Sequence, residues 1–357
     1  ARKNWGKHGP LTNPYAFGYY EHMRHEGFPE RFSQAFSIYD GGAFPARYNH
    51  SVIAANSLHN RVVASKLFPD SSTYRTKDLS PLVLTSDRWF RPVDVKIGPD
   101  GAVYLADWYD SRLTHVDPRD NWHKSSGRIY RLKAKGGQPL KPFDLAGKSS
   151  FELVEIMTTH ANKWFRQTAL RVLADRNDPS VITRLRVQLE EDASPRDVEA
   201  VWALDRLGAF NDDAKLTALR SQNSNVRRWA VRLIGDEKST SPVIAKRLLE
   251  RARNENDPEV RSQLASSAKR LPAAAALPVV REMVNRSADA DDIHIPKMLW
   301  WAIESKCASD PEAVLELFQG KGIWQLPIAK TELIARLMRR FAMAGTESDL
   351  GYCARLL

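Results

Sequence analysis

The sequence predicts a mixed, two-part chain: a partial β-propeller (its last blades) over residues 1–133, then an all-α HEAT-like solenoid over residues 149–357, joined by a linker at 134–148. Three observations predict this. The first 133 residues are rich in aromatics, Gly and Pro and hold their apolar residues in short runs, whereas the remainder shows helical spacing. Each part repeats itself with its own period. The change of character falls at Lys133-Ala134-Lys135-Gly136-Gly137-Gln138-Pro139, a stretch with linker composition. With 357 residues the chain has room for two cores, since domains run to about 100–200 residues.

The first part repeats loosely at about 51 residues, Ser51 to Val62 lining up with Ala102 to Leu113. In each unit a β-rich stretch ends in Ala plus Asn or Asp, a polar tip follows, and an Arg opens the next apolar run. A period of roughly 40–50 residues with several short strands per unit marks a propeller blade. In the second unit Val93 to Ile97 alternates as an inner strand, and Gly98-Pro99-Asp100-Gly101 forms a tight turn. Val103 to Ala106 is then the second strand, Leu113 to Val116 the third and Gly127 to Leu132 the outer fourth. Propellers need roughly 4–8 blades, so these two or so are expected to be part of a larger propeller. The N-terminus, Ala1-Arg2-Lys3-Asn4, has neither an initiator Met nor a signal's apolar segment and reads as a cut inside a longer chain.

The second part repeats at about 28–35 residues: a polar turn, a β-branched or aromatic residue, often an Arg, then an apolar helix. The pattern stands at Asn162 to Arg166, Ser194 to Val198, Asn223 to Arg227, Asn256 to Arg261 and, weakly, Asp292 to Ile295. Each Asn, Asp or Ser is placed to cap the following helix, and Pro258 falls where a first turn tolerates proline. Apolar residues follow at helical spacing, as in Val226, Ala230, Leu233 and Ile234. One such pair cannot bury its apolar face alone, so about five pairs must stack. Arg166, Arg227 and Arg261 share one repeat position and are expected to bond an Asp of the adjacent repeat. The Leu271–Val280 stretch, holding Pro272 and Pro278, reads as a helix–turn–helix corner, and Trp300-Trp301 as packing.

No apolar run approaches the roughly 18 residues of a membrane span. Cys307 and Cys353 fall in predicted helices and read as two buried free thiols, with a disulfide as the alternative that spacing does not suggest, and no Cys-x-x-Cys-His haem motif occurs. The net charge of +10 raises nucleic acid, anionic lipid and acidic glycans as partners. The Arg and Lys are spread along helices beside Glu and Asp, without the one-sided stripe and interleaved aromatics of a nucleic-acid interface. Phosphate loops, nucleophile elbows and dinucleotide fingerprints are absent from the sequence.

Several segments carry a family resemblance: Glu26-Gly27-Phe28-Pro29-Glu30-Arg31, Tyr39-Asp40-Gly41-Gly42-Ala43-Phe44-Pro45, Leu58-His59-Asn60-Arg61-Val62, and above all Trp89 to Tyr109. Together they resemble the putative membrane-bound dehydrogenases of planctomycetes and verrucomicrobia. That family joins a propeller similar to quinoprotein sugar and sorbosone dehydrogenases to HEAT repeats, often with a C-terminal cytochrome c domain. The resemblance implies an exported, periplasmic or envelope-associated sugar or alcohol dehydrogenase. It also implies pyrroloquinoline quinone and calcium in the full-length parent, and an electron acceptor such as a cytochrome c. The cytochrome motif and the first blades are absent from this chain, which is expected to be inactive alone.

By propeller geometry Arg91 and Asp94 share a rim with Asp107, Trp108, Tyr109 and Arg112, and Asn56, His59, Asn60 and Arg61 occupy the matching loop of the preceding blade. If the quinone is held there, Arg61, Arg91 and Arg112 are candidates for its carboxylates, with Asp107 and Trp108 beside it. His59 is then the candidate base. Each has a structural alternative: Arg61 and Arg112 pairing with a neighbouring blade, Asp107 and Asn56 capping turns, Trp108 and Tyr109 wedged between blades. Glu21, His22, His25 and Glu26 put two imidazoles on one face if helical but read as a surface cluster, and Asp94, Asp107, Asp110, Asp117 and Asp120 offer only a scattered oxygen set for calcium. The main alternative function is a non-catalytic adaptor binding protein or polysaccharide in the cell envelope, with a protein partner on the solenoid.

Overall fold

Helices take up 49% of the chain and strands about 14%, the strands in small sheets. The computed structural model describes residues 21–27, 35–112, 119–136, 139–192, 194–320 and 322–357. Two compact units emerge: residues 23–70 with 74–181, and residues 21–22, 71–73 and 182–357.

In the first unit, β1 (His25–Glu26), β2 (Phe36–Ile38), β3 (Ser51–Asn56), β4 (Arg61–Asp70), β5 (Thr73–Asp78) and β6 (Val83–Leu84) form one sheet. Its order is β1-β5-β4-β3-β2, with β6 on β4. The β3–β4 hairpin pairs from Ser51 opposite Lys66 to Asn56 opposite Arg61. A second sheet holds β7 (Pro92–Ile97), β8 (Val103–Asp107) and β9 (Arg128–Leu132) in that order, all antiparallel. No closed barrel or propeller forms among the described residues. The expected strand at Leu113 to Val116 lies outside the described residues, and so do Phe28 to Arg31 and Asp117. The stretch expected as an outer fourth strand is β9, which bonds directly to β8 from Val103–Leu132 to Asp107–Arg128. With both edges of β8 occupied, no other strand fits between them. The His22–His25 stretch, weighed as helical, forms no helix, and β1 runs parallel to β5.

The two sheets bury Tyr39, Ile53, Ala55, Val62, Phe90, Val95, Val103 and Leu105 in one cluster. Tyr39 is fully buried and locks the loop that follows it. Its hydroxyl donates to the Gly101 carbonyl at 2.9 Å and accepts the N–H groups of Ala43 at 3.0 Å and Phe44 at 2.7 Å. Gly101 has φ +70°, and a Cβ there would lie 2.5 Å from the Ala43 Cβ, so only glycine lets the Gly98–Gly101 turn approach this loop.

The first helical pair, α1 (Ser150–Thr159) and α2 (Lys163–Arg176), belongs to this same unit. Ser149 and Glu152 cap α1 reciprocally. Asn162 caps α2 by accepting the Trp164 N–H, and its amide nitrogen donates to the carbonyls of Gly98 and Pro99. Arg166 donates to the Asp40 carboxylate at 2.7 Å and to the carbonyls of His160 and Ala161. The acceptor of Arg166 is therefore a β-unit aspartate in place of the expected neighbouring-repeat residue.

The second unit is a stack of helical pairs: α3 (Ile182–Glu191), α4 (Val198–Arg206), α5 (Asp212–Arg220), α6 (Ser224–Asp236), α7 (Pro242–Asn254), α8 (Pro258–Ala268), α9 (Ala273–Val284), α10 (Ile295–Glu304), α11 (Pro311–Leu317), α12 (Ile334–Ala344) and α13 (Glu347–Leu356). One row packs α4, α6, α8 and α10 in succession, the other α3, α5, α7, α9 and α11. Asn211, Asn223, Ser241 and Asp257 accept N–H groups of the first turns they precede, with Pro242 and Pro258 at the first positions. The helix–turn–helix corner falls at 269–272 alone. Pro278 lies inside α9, where burial of Leu277, Val280, Met283 and Val284 outweighs a break of about 3 kcal/mol. Trp300 is fully buried.

Buried arginines tie this stack together. Arg227 donates through Nε and one terminal nitrogen to Glu255 at 2.8 and 2.7 Å, and through the other to the carbonyls of Ser221 and Gln222. Arg261 repeats this geometry with Asp289 and the carbonyls of Glu255 and Asn256. Burial alone raises the Glu255 carboxyl, but the Arg227 guanidinium and the Asp257 N–H outweigh it and hold it below its ordinary range. The Ser194 repeat departs from the pattern, with a buried Glu199 at the corresponding place.

Candidate ligand-binding rim

The second strands of the two sheets end alike, in Asn56 and Asp107, and each of these buried side chains shapes a turn. The Asn56 carbonyl oxygen accepts the His59 N–H at 3.1 Å. One Asp107 oxygen accepts the N–H groups of Arg91 at 2.7 Å and Tyr109 at 2.9 Å, holding Tyr109 at φ +48°. Asp110, also buried, accepts the N–H groups of Arg112 at 2.8 Å and His123 at 2.6 Å. Burial pushes its carboxyl up, but these donors hold it below the ordinary range.

The turn after β3 adjoins the segment before β7. Asn60, at φ +53°, donates to the carbonyls of Phe90 and Arg88, and Arg91 donates to the Ser57 carbonyl at 3.2 Å. Burial lowers the Arg91 pKa, against the opposing pull of Asp107, Asp110 and Asp87. Its Nε is buried without a hydrogen-bond partner. His59 is exposed, its ring within 3.2 Å of the Asn56 amide nitrogen. Arg61 opens β4 opposite Asn56 and Leu84. Asp94 pairs with Lys96 at the register shift in β7.

Two aromatic–arginine stacks occupy the rim. In the first, the Arg128 guanidinium lies 3.3 Å from the Tyr109 ring centroid, Tyr109 meets Trp89 at 5.6 Å, and Trp89 meets His123 at 5.1 Å. In the second, Arg112 lies 4.1 Å from the Trp122 centroid and Trp122 meets Trp108 edge to face at 5.7 Å. Trp108 is 49% and Trp89 36% exposed. The Ser126 hydroxyl, which donates to the Tyr109 carbonyl, also bonds the His123 ring and holds the two strands of this loop together.

The structure thus gathers Arg91, Asp107, Trp108 and Arg112 at one sheet end, with the His59 turn alongside. Trp89, Trp122, His123 and Arg128 complete the rim and were not singled out from sequence. The available signal was density: three of ten tryptophans fall between 89 and 122. A flat tricarboxylate quinone needs several cations converging on it. Arg91 and Arg112 spend donors on the carbonyls of Ser57 and Arg119, and His59 stands exposed, so these side chains as placed do not form that cradle. Among the described residues, no three His, Cys, Asp or Glu side chains come together as metal ligands.

In the helical unit a cleft of about 470 Å³ lies between α7, α9 and α11, lined by Leu249, Ala273, Leu277, Pro278 and Leu317 with Arg281 at its edge. Pro278 has no N–H for the Ala274 carbonyl, which therefore lacks its helical donor on this exposed face. No helix among the described residues is long and apolar enough to cross a membrane.

Fold and rim together define a mixed chain that couples a small-sheet unit with an aromatic, basic rim to a stack of helical pairs. A family described as a domain of unknown function, DUF7133, matches residues 10–136, a range that takes in the whole rim. No curated protein and no solved structure matches the chain.

Proposed function

We propose that this chain is a non-catalytic recognition protein of the cell envelope, binding a saccharide at the rim and using its helical repeats as a scaffold for a protein partner. In this reading the sheets are blades of a β-propeller and the helical stack is HEAT-like. The antiparallel runs β2–β3–β4 and β7–β8–β9 and the matched Asn56 and Asp107 strand ends support the blades. The recurrent arginine–carboxylate pairs support the repeats. The observation that carries the function is the chemistry of the rim. Asp107 and Asp110 are occupied in holding main-chain N–H groups, while the Trp108 indole is presented to solvent. A sugar ring packs its C–H face on such an indole, with polar neighbours fixing its orientation.

Affinity electrophoresis through gels containing soluble polysaccharides tests this reading. Wild-type protein is expected to be retarded by at least one polysaccharide, and Trp108→Ala to migrate freely. Unretarded wild type across a broad panel sinks the proposal. The competing proposal is the quinone-linked dehydrogenase that the resemblance implies, and the buried, unpartnered Arg91 Nε is the observation on its side. Dye-linked oxidation of sugars by the protein supplied with quinone and calcium would favour it.

A further inference from the structure

We infer that the cleft between α7, α9 and α11 takes an extended peptide segment carrying a large apolar residue and an acidic one about three residues away. This rests on the reading of the helical stack as a scaffold for a protein partner, and it names that partner's chemistry. The first ground is a main-chain acceptor. A proline inside a helix costs about 3 kcal/mol, and α3, α5 and α7 have none in their interiors. In α9, Pro278 leaves the Ala274 carbonyl without its helical N–H, and both residues are exposed in the lining of the cleft. Such an acceptor calls for an N–H from outside. A bound helix has spent its N–H groups within itself, whereas an extended chain still has them to give.

The second ground is shape and charge. Leu249, Leu277 and Leu317 line the cleft, and α9 puts only a methyl group at Ala274, which leaves room for a large apolar side chain. Arg253 is tied to Glu282 at 2.9 Å. Arg281 and Glu316 also line the cleft, both exposed, and among the described residues neither enters an ion pair. Arg281 stands seven residues beyond Ala274, roughly 10 Å along the helix. That is the span of about three residues of extended chain. A peptide whose N–H meets the Ala274 carbonyl therefore brings a carboxylate at this distance onto Arg281.

Other ligands suit the cleft less well. A polyanion sets its further charges against Glu316, and its phosphate or sulfate groups offer no N–H to Ala274. An apolar small molecule fills the space but serves neither Arg281 nor the carbonyl.

The test is fluorescence anisotropy of the full chain with labelled peptides on a Ser/Thr background. The lead peptides carry one leucine and one aspartate about three residues from it, in both orders. Companions replace the aspartate with lysine, set it beside the leucine, or methylate the leucine's main-chain nitrogen. The better lead peptide is expected to bind at least about tenfold tighter than its lysine and adjacent-aspartate companions. Methylation is expected to cost about fivefold. Arg281→Glu should turn the preference to lysine. Pro278→Ala gives Ala274 back its helical N–H, so it should raise the melting temperature, weaken binding and abolish the methylation penalty. A purely structural proline would raise the melting temperature and leave binding unchanged. Peptide binding indifferent to Arg281→Glu and Pro278→Ala overturns the cleft as the site and leaves the scaffold reading standing. Binding of no peptide overturns both.

Discussion

Asn162 clasps the Gly98–Gly101 turn: its amide nitrogen donates to the carbonyls of Gly98 at 3.0 Å and Pro99 at 2.9 Å while its oxygen caps α2. One side chain thus joins a helix start to a β-hairpin some sixty residues earlier in sequence. Asn162→Ala is expected to destabilise the β-containing unit by about 2–4 kcal/mol, from one lost cap and two stranded carbonyls. Asn162→Asp keeps the cap and removes the donor, so a loss of the same sign in denaturant titration isolates the clasp. An unchanged midpoint for Asn162→Asp refutes it.

Arg261 and Asp289 form a buried ion pair, with Asp289 1% exposed. Arg261→Met leaves a charge without its partner and is expected to cost about 3–5 kcal/mol. Combining it with Asp289→Leu should recover part of that loss, because no buried charge remains. Urea unfolding of the two single variants and the double variant reads the coupling, and strictly additive losses would show that the pair is not coupled.

Burial pushes the Cys307 thiol up to about 12 from an ordinary 9.0. The folded state thus keeps this proton where the unfolded chain releases it. The thiol's contribution is complete below pH 9 and falls by about 1.4 kcal/mol per pH unit above it. Melting curves from pH 7 to 10.5 are expected to show wild type losing stability more steeply than Cys307→Ala. Parallel profiles would mean that the thiol meets water in the folded state.

Asp107 holds the rim through two main-chain N–H groups. Asp107→Ala is expected to cost about 1–3 kcal/mol and to alter the near-ultraviolet circular dichroism of the Trp108–Trp122 pair. Trp108→Ala should change stability by no more than about 0.5 kcal/mol, since its ring is half exposed. An unaltered tryptophan signal in Asp107→Ala would detach this carboxylate from the rim's shape.

Much of this was legible in the residues. The capping side chains Asn162, Asn223 and Asp257 and the Asn56 and Asp107 strand ends are local features, and local chemistry produced what it implied, whereas at the Ser194 repeat no side chain caps the helix. The allegiance of α1 and α2 was hidden because Asn162 and Arg166 stand in the same local pattern as Asn223 and Arg227. Only their acceptors differ, and Asp40 lies 126 residues from Arg166. The place of Arg128 to Leu132 was hidden for a related reason: the stretch suits a strand, but its pairing with β8 is decided by chain path. Pro278 argued for a break, yet the apolar face of α9 prevailed. The rim stacks were invisible because they depend on where Trp122 and Arg128 come to lie against Trp108 and Tyr109, which composition hints at and spacing does not specify.

Glu255 serves two repeats at once, its carboxylate receiving Arg227 and its carbonyl receiving Arg261. Under a pulling force the strain on one repeat therefore passes through this residue into the next. Residues 224–289 should therefore give way in a single mechanical event, and the helical stack should transmit tension as a stiff coupling.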